Sequence, residues 1–416
     1  MTPLLRTPDA SSGPATPEHR AELTAEAARL VDFARSSVHP DGGFGWLDDQ
    51  GRLVREHPVE LWLTCRMTHV AALALLAGDE STAALVDEGV RALRCRLHDD
   101  VHGGWYAAVG PDGPVKDAKE SYGHSFVLLA ASSALRAGRD GARELLDDAL
   151  AVHDARFWRE DDGLVVDVWD RGWTELEDYR GVNANMHTVE ALLAVADVTG
   201  DERYRQRALR ITTRVLGWAA GNDWRIPEHF DSSWTPLPDY NRADPGHQFR
   251  PYGATVGHAL EWSRLALDLA AALGEQAPRE LRDGAEQLFR GAVADGWAAD
   301  GADGFVYTTD WDGSPVVRQR LHWVVAEGLA AASSLFAATG EPSYAEHYAT
   351  WWAYAREHLL DLEGGSWRHE LDPENRPAAT VWSGKPDVYH AYQAVLVPRL
   401  PLAPSFATAI ADGLLD

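Results

Sequence analysis

Two kinds of helical pattern alternate along this chain. "PEHRAELTAEAARLVDFARSSV" places apolar residues three and four apart with charges between them, and "STAALVDEGVRALRCRL" repeats this with a charged opposite face. The second kind is richer in Ala and Leu and poorer in charge: "HVAALALLA", "HSFVLLAASSAL", "HTVEALLAVADV" and "HWVVAEGLAAASSLF". An amphipathic helix paired with a more apolar one predicts two layers, outer and inner. Six loops rich in acids, Gly and aromatics separate the pairs, with markers Gly43, Gly104, Gly163, Trp224, Gly304 and Gly365 in steps of 61, 59, 61, 80 and 61 residues. The long step takes in "SSWTPLPDYNRADPGHQFRPYG", which reads as an insertion. A period this regular, from hairpins that cannot bury their faces singly, predicts an all-α ring, an (α/α)6 barrel with short β-hairpins in the loops at one mouth. The barrel is expected over residues 18–416 as a single catalytic domain, after a flexible N-terminal tail over 1–17 rich in Pro, Ser and Thr.

Each inner segment carries a histidine close behind its loop: His69, His124, His187, His258, His322 and His390. A histidine near a helix start is ordinarily a packed or capping residue. Six in corresponding places are hard to obtain by chance, and they are expected together at one end of the ring. Two helices add a carboxylate three residues on, His187 with Glu190 and His258 with Glu261, a spacing that puts both side chains on one face. Such a carboxylate can orient the ring and fix its tautomer.

Composition narrows the chemistry. The chain has 416 residues, a mean hydropathy of −0.31 and a formal charge of −26, which argues against nucleic acid and anionic membrane partners. No apolar run approaches the ~20 residues of a membrane span, and the N-terminus lacks the pattern of a secretory signal. Two cysteines, Cys65 and Cys95, suit a reduced, cytoplasmic protein. Many of the 17 Trp lie in the loops, as expected if aromatic rings line a cavity.

The histidine and glutamate pairs do not have zinc-motif spacing, and they fit a di-iron bundle poorly. Metal-free acid–base chemistry suits them better. Abstracting a proton beside a sugar carbonyl needs a base with a pKa near ambient pH, and the resulting enediolate needs cationic or hydrogen-bond donors in a dry pocket. Arg66, three residues before His69 and flanked by Trp62 and Met67, is the candidate cation.

"RMTH", "NANMHTVEALL", "PGHQFRPYGATVGHALEW", "HWVVAEGL" and "VWSGKPDVYHAYQAVLVPRLP", in this order, resemble the N-acylglucosamine 2-epimerase superfamily and, more narrowly, its aldose–ketose isomerase branch. The resemblance runs from about residue 20 to the end. It implies an (α/α)6 barrel working without a metal or other cofactor on a monosaccharide, as a monomer or homodimer. It implies His258 and His390 as the catalytic pair. Arg66, His187, Glu261 and Glu327 fall on other site positions, and Trp62, Asn183 and His322 complete the expected sugar-binding set. The implied course is pyranose opening, removal of the C2 proton by His390 to a cis-enediolate, and protonation at C1.

D-mannose and D-fructose are the expected sugars, with D-lyxose and D-xylulose next. Two close relatives of this reaction compete, a sulfoquinovose isomerase and a mannose/glucose 2-epimerase. The first wants polar groups for a sulfonate, where "SGKPDVYH" offers Pro386 instead. A more distant alternative is a glycoside hydrolase on the same barrel, using Glu261 and Glu327 or the loop acids Asp231 and Asp244. A carbohydrate-binding protein without turnover is a third reading.

Overall fold

Each inner helix begins where the chain leaves one of the mouth loops, and in five of the six the first amide is claimed by the loop that follows in sequence. In the computed structural model, which describes residue 14 and residues 16–416, Leu61 N donates to Ala107 O, Ser121 N to Asp167 O, Val182 N to Glu228 O, Val256 N to Tyr307 O and His322 N to His369 O. Two-residue strands reinforce every one of these joints. Val59–Glu60 pairs with Ala108 and Val109, Lys119–Glu120 with Val168–Trp169, Arg180–Gly181 with His229–Phe230, Ala254–Thr255 with Thr308–Thr309, and Arg320–Leu321 with Glu370–Leu371. The mouth is therefore stitched repeat to repeat. The expected hairpins within single loops stand beside these joints: Ala108–Gly110 with Gly113–Lys116, Trp158–Arg159 with Leu164–Val165, and Thr308–Thr309 with Pro315–Val317.

The inner layer consists of α2 (Leu61–Leu76), α4 (Ser121–Arg136), α6 (Val182–Thr199), α8 (Val256–Leu273), α10 (His322–Thr339) and α12 (Tyr389–Leu396). Each packs on the next, and α12 packs back on α2, so the ring closes within one chain. Outside it lie α1 (Pro17–Ala34), α3 (Ala83–Arg94), α5 (Ala142–Val152), α7 (Glu202–Ala220), α9 (Arg279–Gly296) and α11 (Pro342–Tyr354). The expected (α/α)6 barrel is what the chain forms.

Burial follows the two patterns in the sequence. Every residue of α2 from Leu61 to Ala74 and of α10 from Val324 to Leu335 is buried, whereas α7 and α9 turn their charged faces outward. Gly89 of α3 lies where a Cβ would stand 1.9 Å from Thr68 Oγ1 of α2, so the two layers meet there in near backbone contact. A last helix, α13 (Phe406–Ala411), packs against α2, α4 and α6 at the end away from the loops.

The expected tail over 1–17 falls mostly outside the described residues. Its last member, Pro17, is already the first residue of α1, capped by Thr16 Oγ1, which accepts from His19 N at 3.2 Å. Cys65 is buried, Cys95 is exposed, and both are free thiols. No helix among the described residues is long and apolar enough to cross a membrane.

One expectation fails here. The six histidines do not share a level, because the inner helices enter the ring at different depths. His322 and His390 are the first and second residues of their helices and His258 the third, but His69 lies two turns into α2. It sits 2.7 Å from Ser133 Oγ and lines a cavity at the far end of the barrel. His124 faces the loop, not the axis: Nδ1–H donates to Glu120 O at 2.7 Å and Nε2 accepts from Trp105 N at 3.1 Å. Both are scaffold, and the insertion instead supplies new wall. Gln248 Nε2 donates to Val381 O at 2.7 Å, tying residues 232–253 to the sixth loop across the mouth.

Candidate active site

The ring encloses a cleft of about 620 Å³ at the loop end. Seven of the nine expected site residues line it: Arg66, Asn183, His187, His258, Glu261, His322 and His390. Trp62 and Glu327 stand behind the wall. The Trp62 indole donates to Glu60 Oε2 at 2.9 Å, and its ring backs Arg66 at 5.1 Å and Phe249 at 6.0 Å, so it shapes the site without facing the cleft. Glu327, one turn inside α10, reaches the site through a histidine.

Two imidazoles share one arrangement. His258 Nδ1–H donates to Glu228 Oε2 at 3.0 Å, and His390 Nδ1–H donates to Glu327 Oε1 at 2.8 Å. A carboxylate on Nδ1 fixes the tautomer and leaves Nε2 as a lone-pair donor. Neither Nε2 has a hydrogen-bond partner among the described residues, and both rings line the cleft. Trp323 is their common neighbour, with its ring 5.3 Å from His258 and 5.7 Å from His390. It is seated by Gly257, where a Cβ would lie 2.2 Å from the indole.

The pairing of His258 corrects the expectation from His-x-x-Glu spacing. Glu261 lies one turn deeper and faces α6, with Oε1 3.8 Å from His187 Nδ1 and 3.7 Å from Arg264. Glu228 reaches His258 because its own carbonyl is the one claimed by Val182, which anchors it at the rim beside α8. In the other helix the expected pair stands: His187 Nδ1 and Glu190 Oε2 are 3.4 Å apart.

Burial dominates the electrostatics. It pushes His187 and His322 down to about 4, and burial followed by the Arg66 charge holds His390 well below the ordinary histidine value. These rings are neutral near pH 7, the state a general base requires. Burial raises Glu261 well above the carboxylate range, with the like charge of Glu327 adding to it, and burial also raises Glu327. Arg66 is pinned by Asp387 Oδ2 at 3.3 Å and by the Tyr122 hydroxyl at 2.9 Å, over the rings of Phe126 and Tyr389. Its Nε has no hydrogen-bond partner among the described residues, nor do Asn183 Oδ1 and His322 Nε2.

Two trios, His187–Glu190–Glu261 and Glu261–Glu327–His390, are each tight enough to hold a metal ion. Their members already serve one another. Glu190 accepts from the Tyr389 hydroxyl and from Gln393 Nε2, and Glu327 accepts from His390 and, at 3.3 Å, from Arg264 Nε. The buried Arg264 guanidinium is the cation among these carboxylates.

The same facts bear on hydrolysis. Glu261 and Glu327 approach within 4.8 Å with Arg264 and His390 already on Glu327, which leaves no place for a glycosidic bond between them. Asp231 accepts from the amides of its own turn, at Ser233 and Thr235, and Asp244 is exposed on the insertion.

Several wall residues were not expected from the sequence. Glu228 and His369 occupy the position whose carbonyl receives the first amide of the preceding inner helix, so aligning the loops on that joint would single them out. Arg264 is signalled by a charge within the apolar run "LEWSRLALDLAAAL". Gln248, Phe249 and Trp382 come from irregular loops but lie within the motif stretches "PGHQFRPYGATVGHALEW" and "VWSGKPDVYHAYQAVLVPRLP", which were quoted without singling them out.

Comparison with known proteins agrees with this geometry. The profile of the N-acylglucosamine 2-epimerase (GlcNAc 2-epimerase) family matches residues 42–394. The D-mannose isomerase of Thermobifida fusca is 54% identical over 94% of this chain and 97% of its own length. That of Pseudomonas cannabina pv. alisalensis is 48% identical over 95% and 96%. The crystal structure of a D-mannose isomerase superposes with a TM-score of 0.85 at 28% identity, covering 91% of this chain and 97% of the other. With a matching profile over most of its length and relatives alike from end to end, the chain belongs to the N-acylglucosamine 2-epimerase family of sugar epimerases and isomerases.

Proposed function

We propose that this protein is a metal-independent aldose–ketose isomerase that interconverts D-mannose and D-fructose, and D-lyxose and D-xylulose through the shared C2 configuration. The observation that carries the reading is the pair of imidazoles, each with a carboxylate on Nδ1 and Nε2 toward one cleft, beside a buried guanidinium. His258 Nε2 accepts the anomeric hydroxyl proton and delivers it to the ring oxygen, opening the pyranose. His390 Nε2 takes the C2 proton, and the negative charge that develops on O1 of the enediolate faces Arg66. The His390 imidazolium, stabilised by Glu327, returns the proton to C1 while His258 carries the O2 proton to O1. His187, Glu261, His322 and Asn183 hold the remaining hydroxyls.

An uncharged sugar fits best. Arg66 is the one cationic side chain among the residues lining the cleft, and Asp387 neutralises it. Pro386 lines the wall without a donor, and the Lys385 ammonium is spent on Asp361 and Gly365 O. Two free thiols fit a reducing compartment, and the assigned location is the cytoplasm.

The test is turnover of mannose, sulfoquinovose and glucose by wild type, His258→Ala and His390→Ala. Fructose from wild type, with each variant folded but reduced by roughly 10²–10⁴-fold, is expected. Turnover of sulfoquinovose alone, or wild-type rates in either variant, contradicts the reading.

A further inference from the structure

A second cavity of about 550 Å³ lies under the catalytic cleft, between the inner ring and the segment Leu402–Ala407 that leads into α13. Glu190 and Arg264 form part of its ceiling, and His69, Ser133, Asp197 and Asp268 contribute its other polar walls. The mechanism above uses none of these last four. Asp268 differs from the rest in what it holds. One turn beyond Arg264 on α8, its Oδ2 accepts from Arg264 NH1 at 3.3 Å, while Arg264 Nε reaches Glu327 at 3.3 Å and Glu327 holds His390 at 2.8 Å. A continuous chain of hydrogen bonds therefore runs from the lower cavity to the imidazole at the cleft.

We propose that Asp268 is a positioning residue: from the lower cavity it shares the Arg264 guanidinium with Glu327, and so sets how strongly Glu327 supports His390 as a base. This inference rests on the isomerase reading. The physical basis is competition for one cation. With Asp268 ionised, Arg264 is divided between carboxylates and Glu327 keeps more of its negative charge for the His390 imidazolium. With residue 268 neutral, the full guanidinium charge is felt by Glu327 and His390, and the imidazole is a weaker base. The other acidic groups around Arg264 are Glu190 from α6, Glu261 on α8 itself and Glu327 from α10, the last two raised by burial, and all three are common to wild type and the variants compared; the Phe406 ring lies 5.9 Å away below. His69, from α2, is buried and held neutral near pH 7. Asp197 is occupied elsewhere, by Arg205 at 2.7 Å and by Ser405 N at 2.7 Å.

Burial pushes the Asp268 carboxyl up to about 7, against the pull of Arg264, so its charge changes within the working range. Wild type below this value has a neutral residue 268 and behaves as Asp268→Asn does. The two are expected within about twofold of each other in kcat at pH 5.5 and to diverge through pH 7, reaching roughly 5- to 30-fold above pH 8, with KM changed less than twofold. Asp268→Glu, which keeps a carboxylate in the open lower cavity, is expected to restore the rise through neutral pH. Asp197→Asn is expected to match wild type throughout. Should Asp268→Asn fail to fold, Asp268→Ser carries the same comparison with a smaller neutral side chain.

A constant loss at every pH, a loss expressed in KM alone, or wild-type kcat above pH 8 overturns the proposal. Absence of fructose from wild type would instead refute the parent reading, whatever the variants do.

Discussion

Replacing Glu228 by Gln isolates one interaction at the proposed centre. Glu228 is 4% exposed, and its Oε2 takes the His258 Nδ1 proton at 3.0 Å, while Oε1 has no partner among the described residues. Glutamine has the same shape. Its carbonyl oxygen can accept the same hydrogen, so the tautomer and the direction of Nε2 are kept, and only the negative charge goes. A hydrogen bond to a charged group contributes about 1.5–3 kcal/mol and a neutral one about 0.5–1.5 kcal/mol, so the loss is about 1–2 kcal/mol. If His258 carries positive charge during proton transfer, this loss falls on the transition state and lowers kcat by roughly 5- to 30-fold. The assay is steady-state conversion of mannose to fructose, with circular dichroism as the control for folding. A folded Glu228→Gln variant within twofold of wild type in kcat refutes the role given to this pair.

Gly257→Ala puts a Cβ about where the Trp323 ring now lies, at 2.2 Å, so the indole between the two histidines must shift. Overpacking of this kind costs about 1–3 kcal/mol, and displacement near 1 Å at a reacting centre lowers the rate by about 10²-fold. A lowered melting temperature together with a kcat loss is the expected result, read by calorimetry and kinetics on one preparation. Stability is also expected to fall with acid. His69, His187 and His322 are held near 4 and His124 near 3, chiefly by burial, against an ordinary 6.5. Their folded values are depressed, so the unfolded chain binds the extra protons between 6.5 and 4. Their neutral burial is therefore without penalty above 6.5 and costs up to about 3 kcal/mol each as pH approaches 4. Melting temperature recorded from pH 8 to 4.5 should drop steeply below 6.5, and a flat profile would contradict the burial assigned to these rings.

The closed ring and its alternation of apolar and amphipathic helices were legible because a hairpin with one apolar face has few ways to bury it, and six at a near-constant period have fewer. His258, His390, Arg66 and His187 were legible as motif residues on those helices. Depth within the helix was not. Whether His69 meets the cleft or the lower cavity depends on where α2 starts, and that is set by pairing of Val59–Glu60 with a strand of the next loop. The partner of His258 was misassigned for a related reason: helix spacing exposes contacts within a helix, such as His187 with Glu190, but not a carboxylate brought in by a loop 30 residues upstream. Trp62 was expected in the sugar-binding set, yet Glu60 holds its N–H and the ring stands behind the wall.

The central claim is that His390 moves a proton from C2 to C1 of a free aldose, while His258 moves the protons on its oxygens, without a metal. Its most direct measurement is proton NMR of chelator-treated protein incubated with mannose in D2O. The account predicts fructose, labelled at C1 only as far as the His390 proton exchanges with solvent during the lifetime of the enediolate. Fructose that forms only when a divalent metal is restored, or mannose left unchanged with and without metal, would contradict it.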